Sequence, residues 1–125
     1  MNGYLLDTSV ALKAMSAPEQ VSRRARTAIE KGPVFLSVAV YWEVTIKSMK
    51  GLLDVGDPRQ WYTEAIESLE LRPLNLRPAH VAALNTLPPL HKDPFDRMLV
   101  CQAKAHGLTL ASSDALVRQY PVALL

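Results

Sequence analysis

The sequence predicts an α/β protein with a central, mostly parallel sheet of four to five strands, covered by helices on both faces. Three observations carry that prediction. The strand-like segments, such as Tyr4-Leu5-Leu6 and Val34-Phe35-Leu36, are short apolar runs without alternation, as expected of strands buried on both sides. Segments with helical periodicity separate them, as parallel crossovers require. Acids stand at or near the ends of these elements, and ligand sites in parallel sheets form beyond the carboxyl ends of strands.

Taken in order, residues 3 to 7 form the first strand, ending at Asp7, and Thr8 or Ser9 caps a helix through Met15. From Pro18 to Lys31 the residues Val21, Ala25, Ala28 and Ile29 recur at helical spacing, and Gly32-Pro33 stops the helix. Its other face carries Arg23, Arg24, Arg26 and Lys31, either a solvated face or a patch for RNA. Val34-Phe35-Leu36 is the second strand, and Ser37 caps the next helix, where Trp42, Ile46 and Met49 share one stripe. Gly51 ends that helix. Asp57-Pro58 opens another with Trp61, Ala65 and Leu69 on its apolar face. Leu71 to Leu76 reads as a third strand, and Pro73 within it points to the sheet edge. Pro78 begins a short helix through Leu87, broken by Pro88-Pro89. A helix from Pro94 to His106 follows, with Gly107 as its C-terminal stop. Leu108 to Ala111 is the fourth strand, Ser113 to Tyr120 a short helix, and Val122 to Leu125 a last strand.

At 125 residues, 49% hydrophobic and 21% charged, the chain is expected to form one globular domain over 1–125. No apolar run approaches the roughly 20 residues of a membrane span. The N-terminus lacks the basic stretch of a signal peptide and carries Asp7 early. The single cysteine, Cys101, lies in an apolar helix, so the expected compartment is a reducing cytoplasm and the thiol a core group. Fourteen Lys and Arg oppose twelve Asp and Glu, a net charge of +2. If four acids gather in one pocket, eight remain against the fourteen, and the outer surface suits a polyanion.

The stretch His91-Lys92-Asp93-Pro94-Phe95-Asp96-Arg97 is the most informative. Asp93, Pro94 and Asp96 read as N-cap, first helical residue and N3 carboxylate. Capping accounts for Asp93, but not for another acid at the rim of a helix as apolar as Met98-Leu99-Val100-Cys101. Asp7 ends the first strand, Glu43 interrupts an apolar helix pattern, and Asp114 follows the fourth strand. Four acids so placed are the pattern of a fold that gathers carboxylates around a cation. For Glu43 the competing reading is an exposed ion pair with Lys47 one turn on, worth only about 0.3–0.5 kcal/mol.

Leu5-Leu6-Asp7-Thr8-Ser9, the run from Ser37 to Trp42-Glu43, the Asp93-Pro94-Phe95-Asp96-Arg97 block and Ser112-Ser113-Asp114 resemble the motifs of PIN-domain nucleases, specifically the VapC-type toxins of bacterial toxin-antitoxin pairs. The resemblance spans nearly the whole chain, in the family's order and spacing. It implies a three-layer α/β/α PIN-like fold and metal-dependent cleavage of RNA, transfer RNA being a common target in the family. Asp7, Glu43, Asp96 and Asp114 then form the acidic site, with Asp7 and Asp96 foremost as metal ligands. Asp93 belongs to a variant of the motif, as helix cap or outer ligand; Ser112 orients a carboxylate or a water, and Thr8 is accessory. Lys47, Lys92 and Arg97 are candidates for phosphate contact, against the plainer reading of solvent-exposed charges. His91 is a candidate base, against a loop hydrogen bond. The resemblance further implies a homodimer and a small VapB-type antitoxin whose C-terminal segment lies over the cleft, with Tyr41, Trp42, Trp61 and Tyr62 as candidate contacts.

Clustered carboxylates suit Mg²⁺ or Mn²⁺, which take oxygen ligands and retain waters, while the absence of Cys/His spacing argues against zinc. Without a cation such acids repel one another and at least one holds a proton. With one, a coordinated water turns acidic near neutral pH and charge building on phosphate is stabilised, which suits in-line hydrolysis of a phosphodiester. Two other functions compete. A metal-dependent phosphatase of another α/β family also places an Asp after its first strand, but wants a second acid two residues later, where this chain has Ser9. An RNA-binding regulatory module without turnover has no use for all four acids.

Overall fold

The computed structural model describes residues 2–125. The apolar runs become β1 (Tyr4–Leu6), β2 (Val34–Ser37), β3 (Arg72–Leu74) and β4 (Thr109–Ala111), all parallel, in the spatial order β3-β2-β1-β4. Leu5, Leu6, Leu36 and Leu110 have no exposed surface, because helices cover both faces of the sheet. Those helices are α1 (Thr8–Ser16), α2 (Arg23–Lys31), α3 (Val38–Met49), α4 (Pro58–Ser68), α5 (Pro78–Ala83) and α6 (Pro94–His106). The result is the expected three-layer α/β/α arrangement. Pro73 lies in β3, at the edge of the sheet, where its missing N–H costs no ladder bond.

The order of the strands positions the site. From β1 the chain winds outward to β2 and β3 on one side, whereas β4 sits on the other side of β1. The direction of winding therefore reverses between β1 and β4, and a crevice opens there beyond the carboxyl ends. Asp7 directly follows β1 and Ser112 directly follows β4.

Several elements depart from the sequence expectation. The helix expected over Pro18 to Lys31 is a single 3-10 turn (Pro18–Gln20), then α2. Val21 between them is extended and buried, and Ser22 caps α2 by accepting from Ala25 N. Residues 113–120 hold one 3-10 turn (Val117–Gln119), and the expected last strand adds a single parallel bridge, Leu110 to Leu124. The stripe on α3 faces outward: Trp42 is 55% and Met49 82% exposed, while Ala39, Val40, Glu43 and Val44 are buried. Trp61 is a core residue, so it offers no contact surface.

Ser37 holds α3 and α6 together. Its hydroxyl oxygen accepts from Ala39 N at 3.0 Å, capping α3, and its O–H donates to Gln102 Oε1 of α6 at 2.6 Å. Both side chains are fully buried. Ser37→Ala removes a cap and leaves a buried amide oxygen without its donor, so the expected loss is about 2–3 kcal/mol. Urea denaturation checks it, as a lower midpoint at unchanged m value.

Candidate metal centre

Three acids reach the crevice at points where the backbone turns: Asp7 and Asp93 cap helices, and Asp114 holds the turn that precedes Val117–Gln119. Asp7 Oδ1 accepts from Val10 N at 2.8 Å, so Asp7 itself caps α1, in place of the expected Thr8 or Ser9. Asp93 Oδ1 caps α6 through Phe95 N and Asp96 N at 2.8 and 2.9 Å. Asp114 Oδ1 accepts from Leu116 N and Val117 N at 2.8 and 3.0 Å. In all three the capping bonds go to one oxygen, and the other is no part of the cap. Asp7 and Asp93 thus sit at the positive ends of α1 and α6.

Glu43 arrives differently, on the inner flank of α3. Its Oε1 accepts from Thr8 Oγ1 at 2.6 Å, and its Oε2 pairs with Lys47 Nζ at 2.7 Å. The ion pair with Lys47 exists, but Glu43 is buried, so it is not the surface pair that spacing alone suggests. Donor atoms of Glu43, Asp93 and Asp96 lie within 4.8 Å of one another, as do those of His91, Asp96 and Asp114. Asp96 belongs to both groups. With Asp7, Thr8, Lys47 and Ser113 they line one cavity of about 500 Å³.

His91 lies closer to the acids than its loop position suggests. Its Nδ1 accepts from Asp93 N at 3.1 Å, which is the expected loop hydrogen bond and puts the proton of the neutral ring on Nε2. That Nε2 is 3.0 Å from Asp96 Oδ2 and 3.4 Å from Asp114 Oδ2. No local signal marks this, since Asp114 comes 23 residues later. Ser112 is buried and its hydroxyl accepts from Asp114 N at 3.1 Å. Arg97, in contrast, is neither at the cavity nor a free surface charge. Its guanidinium donates to the carbonyls of Leu87, Pro88 and His91 and to Tyr120 Oη. Lys92 is exposed and outside the cavity lining.

The electrostatics are those of crowded acids. Burial pushes the Asp96 carboxyl up to about 7, reinforced by Asp93 and Glu43 and opposed by His91. Asp7 is also raised, chiefly by burial, against the Ser112 hydrogen bond. Asp114, whose side chain is 40% exposed, is lowered mainly by Val117 N–H. The Glu43 carboxylate raises the Lys47 ammonium. A donor set of carboxylate oxygens with one imidazole fits a hard divalent cation of the Mg²⁺ or Mn²⁺ kind.

Fold and cavity together define a class: a doubly covered parallel sheet with a carboxylate-lined crevice at its switch point. The particular family follows, because residues 4–122 match the PIN domain family, and the chain belongs to it. Among curated proteins none matches in sequence. The fold is that of a chain in VapBC2 from Rickettsia felis, solved bound to a promoter DNA fragment (16% identity, 100% of this chain and 98% of that one, TM-score 0.73). It is equally that of a chain in DNA-bound VapBC from Salmonella typhimurium (13% identity, 100% and 98%, TM-score 0.72). FitAcB from Neisseria gonorrhoeae has a similar chain (21% identity, 98% and 96%, TM-score 0.65).

The raised Asp96 carboxyl makes stability depend on pH. The folded chain keeps a proton up to about 7 that the unfolded chain releases near 3.8, so the native state binds more protons in between and stability falls as pH rises through that window. Urea midpoints of chelator-treated protein are expected to drop from pH 5 to pH 7.5, and Asp96→Asn to flatten that drop. Saturating Mg²⁺ should flatten it too.

Proposed function

We propose that the protein is a Mg²⁺- or Mn²⁺-dependent endoribonuclease toxin, held inactive by a VapB-type antitoxin. The observation that carries this reading is the convergence of Asp7, Glu43, Asp93, Asp96 and Asp114 on one crevice of a PIN-domain chain. Asp7, Asp96 and Asp114 would hold the cation, with Glu43 beside them. When bound, the cation supplies an acidified water and offsets charge on the phosphate.

The rest is done by the chain's own groups. Thr8 O–H and Lys47 Nζ fix the two oxygens of Glu43. His91 Nε2–H holds Asp96 Oδ2, and the three capping carboxylates are locked by backbone N–H groups. Ligands held this way need little rearrangement on binding. The Lys47 side chain, 45% exposed at the rim, is placed to meet a phosphate oxygen. RNA, with transfer RNA foremost, is the substrate proposed.

The partner reading rests on an apolar ridge. Trp42 packs edge-on against Phe95 with ring centroids 5.2 Å apart, and Met49 and Leu52 are exposed further along. A homodimer and an antitoxin segment are the occupants proposed for this side of the molecule. Among the described residues no helix is long and apolar enough to cross a membrane, which is compatible with a cytoplasmic toxin.

Asp7→Asn and Asp96→Asn each remove site charge with almost no change of shape. Both variants should keep the native circular dichroism spectrum and cut structured RNA with Mg²⁺ or Mn²⁺ no faster than a protein-free control, as should the wild type in chelator. Full activity in either variant removes that residue from the reaction. A phosphomonoester turned over in preference to RNA points instead to a phosphatase.

A further inference from the structure

A second cavity, of about 390 Å³, adjoins the acidic one, and Ser113 lines both. Its walls come from α1, the first turn of α2 and the segment after β4. Lys13, Arg24 and Arg118 line it together with Ser22, over an apolar floor that includes Val21, and no acidic side chain lines it. None of these three cations has a carboxylate side chain within ion-pair distance among the described residues. Arg118 is also held in place: its guanidinium donates to Ser112 O and Leu125 O, both at 3.0 Å. The hydroxyl of the same Ser112 accepts from Asp114 N at 3.1 Å, so the residue that anchors this cation also meets the acidic site.

Three cations gathered with no acidic side chain among them, Arg118 meeting only the oxygens of Ser112 and Leu125, attract an anion, and this gathering lies beside a pocket that by itself repels one. A polyanionic strand laid across both cavities has one phosphodiester at the acids and another charge to place close by. Building on the nuclease reading, we propose that the cavity of Lys13, Arg24 and Arg118 is a subsite for a phosphate flanking the scissile one. Its role is to set the register of the strand, so Lys13 and Arg24 are positioning residues.

The test uses Lys13→Gln/Arg24→Gln, whose side chains are half-buried and exposed; Arg118 is left intact because it ties down the C-terminal segment. The probe is an unstructured RNA of about ten nucleotides, its binding read by fluorescence anisotropy in chelator between about 50 and 200 mM salt. Losing one phosphate contact should weaken binding about tenfold at low salt and reduce the slope of log Kd against log salt by about 0.7. A single neutral methylphosphonate, walked along the strand, should at one position cost the wild type the same factor and the variant nothing more. With Mg²⁺ or Mn²⁺, the variant should lose kcat/KM on the longer RNA while matching the wild type on a dinucleoside monophosphate, which has no flanking phosphate. An unchanged salt slope in a variant of an active nuclease overturns the subsite. Weaker binding to polyglutamate with RNA binding intact also overturns it, assigning the cavity to an acidic protein segment. A wild type that binds RNA but cuts neither substrate removes the nuclease reading instead.

Discussion

The geometry of the acidic crevice depends on one buried hydroxyl. Ser37 caps α3 and simultaneously bonds Gln102 of α6, and these are the helices that carry Glu43 and Asp96. Glu43 lies six residues beyond Ser37, and Asp96 six residues before Gln102. At about 1.5 Å per residue, the two carboxylates are therefore displaced by the same ~9 Å from the pin. Equal offsets in opposite chain directions are the register of two helices passing antiparallel. Val40 and Leu99, midway along each span, are both buried. The Ser37–Gln102 bond is directional, so it fixes the register of this pairing more sharply than apolar packing alone.

Gathering the acids has an electrostatic cost, and the fold offsets it with backbone N–H groups before any cation is present. Asp7, Asp93 and Asp114 each satisfy otherwise orphaned amides at a helix start. Asp96 has a different balance: burial, with Asp93 and Glu43 beside it, raises its carboxyl, and no capping amide counters that. It sits at N3 of α6, but the first-turn amides bond Asp93, and His91 is the side chain that faces its Oδ2. Capping thus explains how a helix start can become part of a site: the same carboxylate fixes the local backbone with one oxygen and presents the other.

Features set by neighbouring residues were legible in the sequence. The start of α6 at Asp93-Pro94 and its stop at Gly107, whose φ is 63°, follow from cap chemistry that needs no tertiary partner. Buried strands were legible because parallel strands lack alternation. What escaped depends on distant contacts. Ser22 becomes a cap only because Val21 is drawn into the core, and residues 113–120 are held by Asp114 and by the bridge of Leu124 to Leu110 more than by helical bonds. The apolar stripe of α3 had the right period but faces outward, since its period cannot say which face meets the sheet. His91 could be seen as a loop residue, but its approach to Asp114 requires the return of β4 beside β1.

Charge on this molecule is sorted spatially, and the sorting has a mechanical basis. The acids occupy the crevice between β1 and β4, while Lys13, Arg24 and Arg118 line the adjoining cavity from α1, α2 and the segment after β4. Ser112 joins the two regions: its hydroxyl accepts from Asp114 N, and its carbonyl accepts from Arg118. Because one residue at the end of a buried strand orients both an acid and a base, neither can drift relative to the other without breaking β4. On the nuclease reading proposed above, a junction of opposite charge would suit an extended polyanion better than either patch alone: the crevice would take a cation-compensated phosphate, and its basic neighbour would supply the attraction that the crevice lacks.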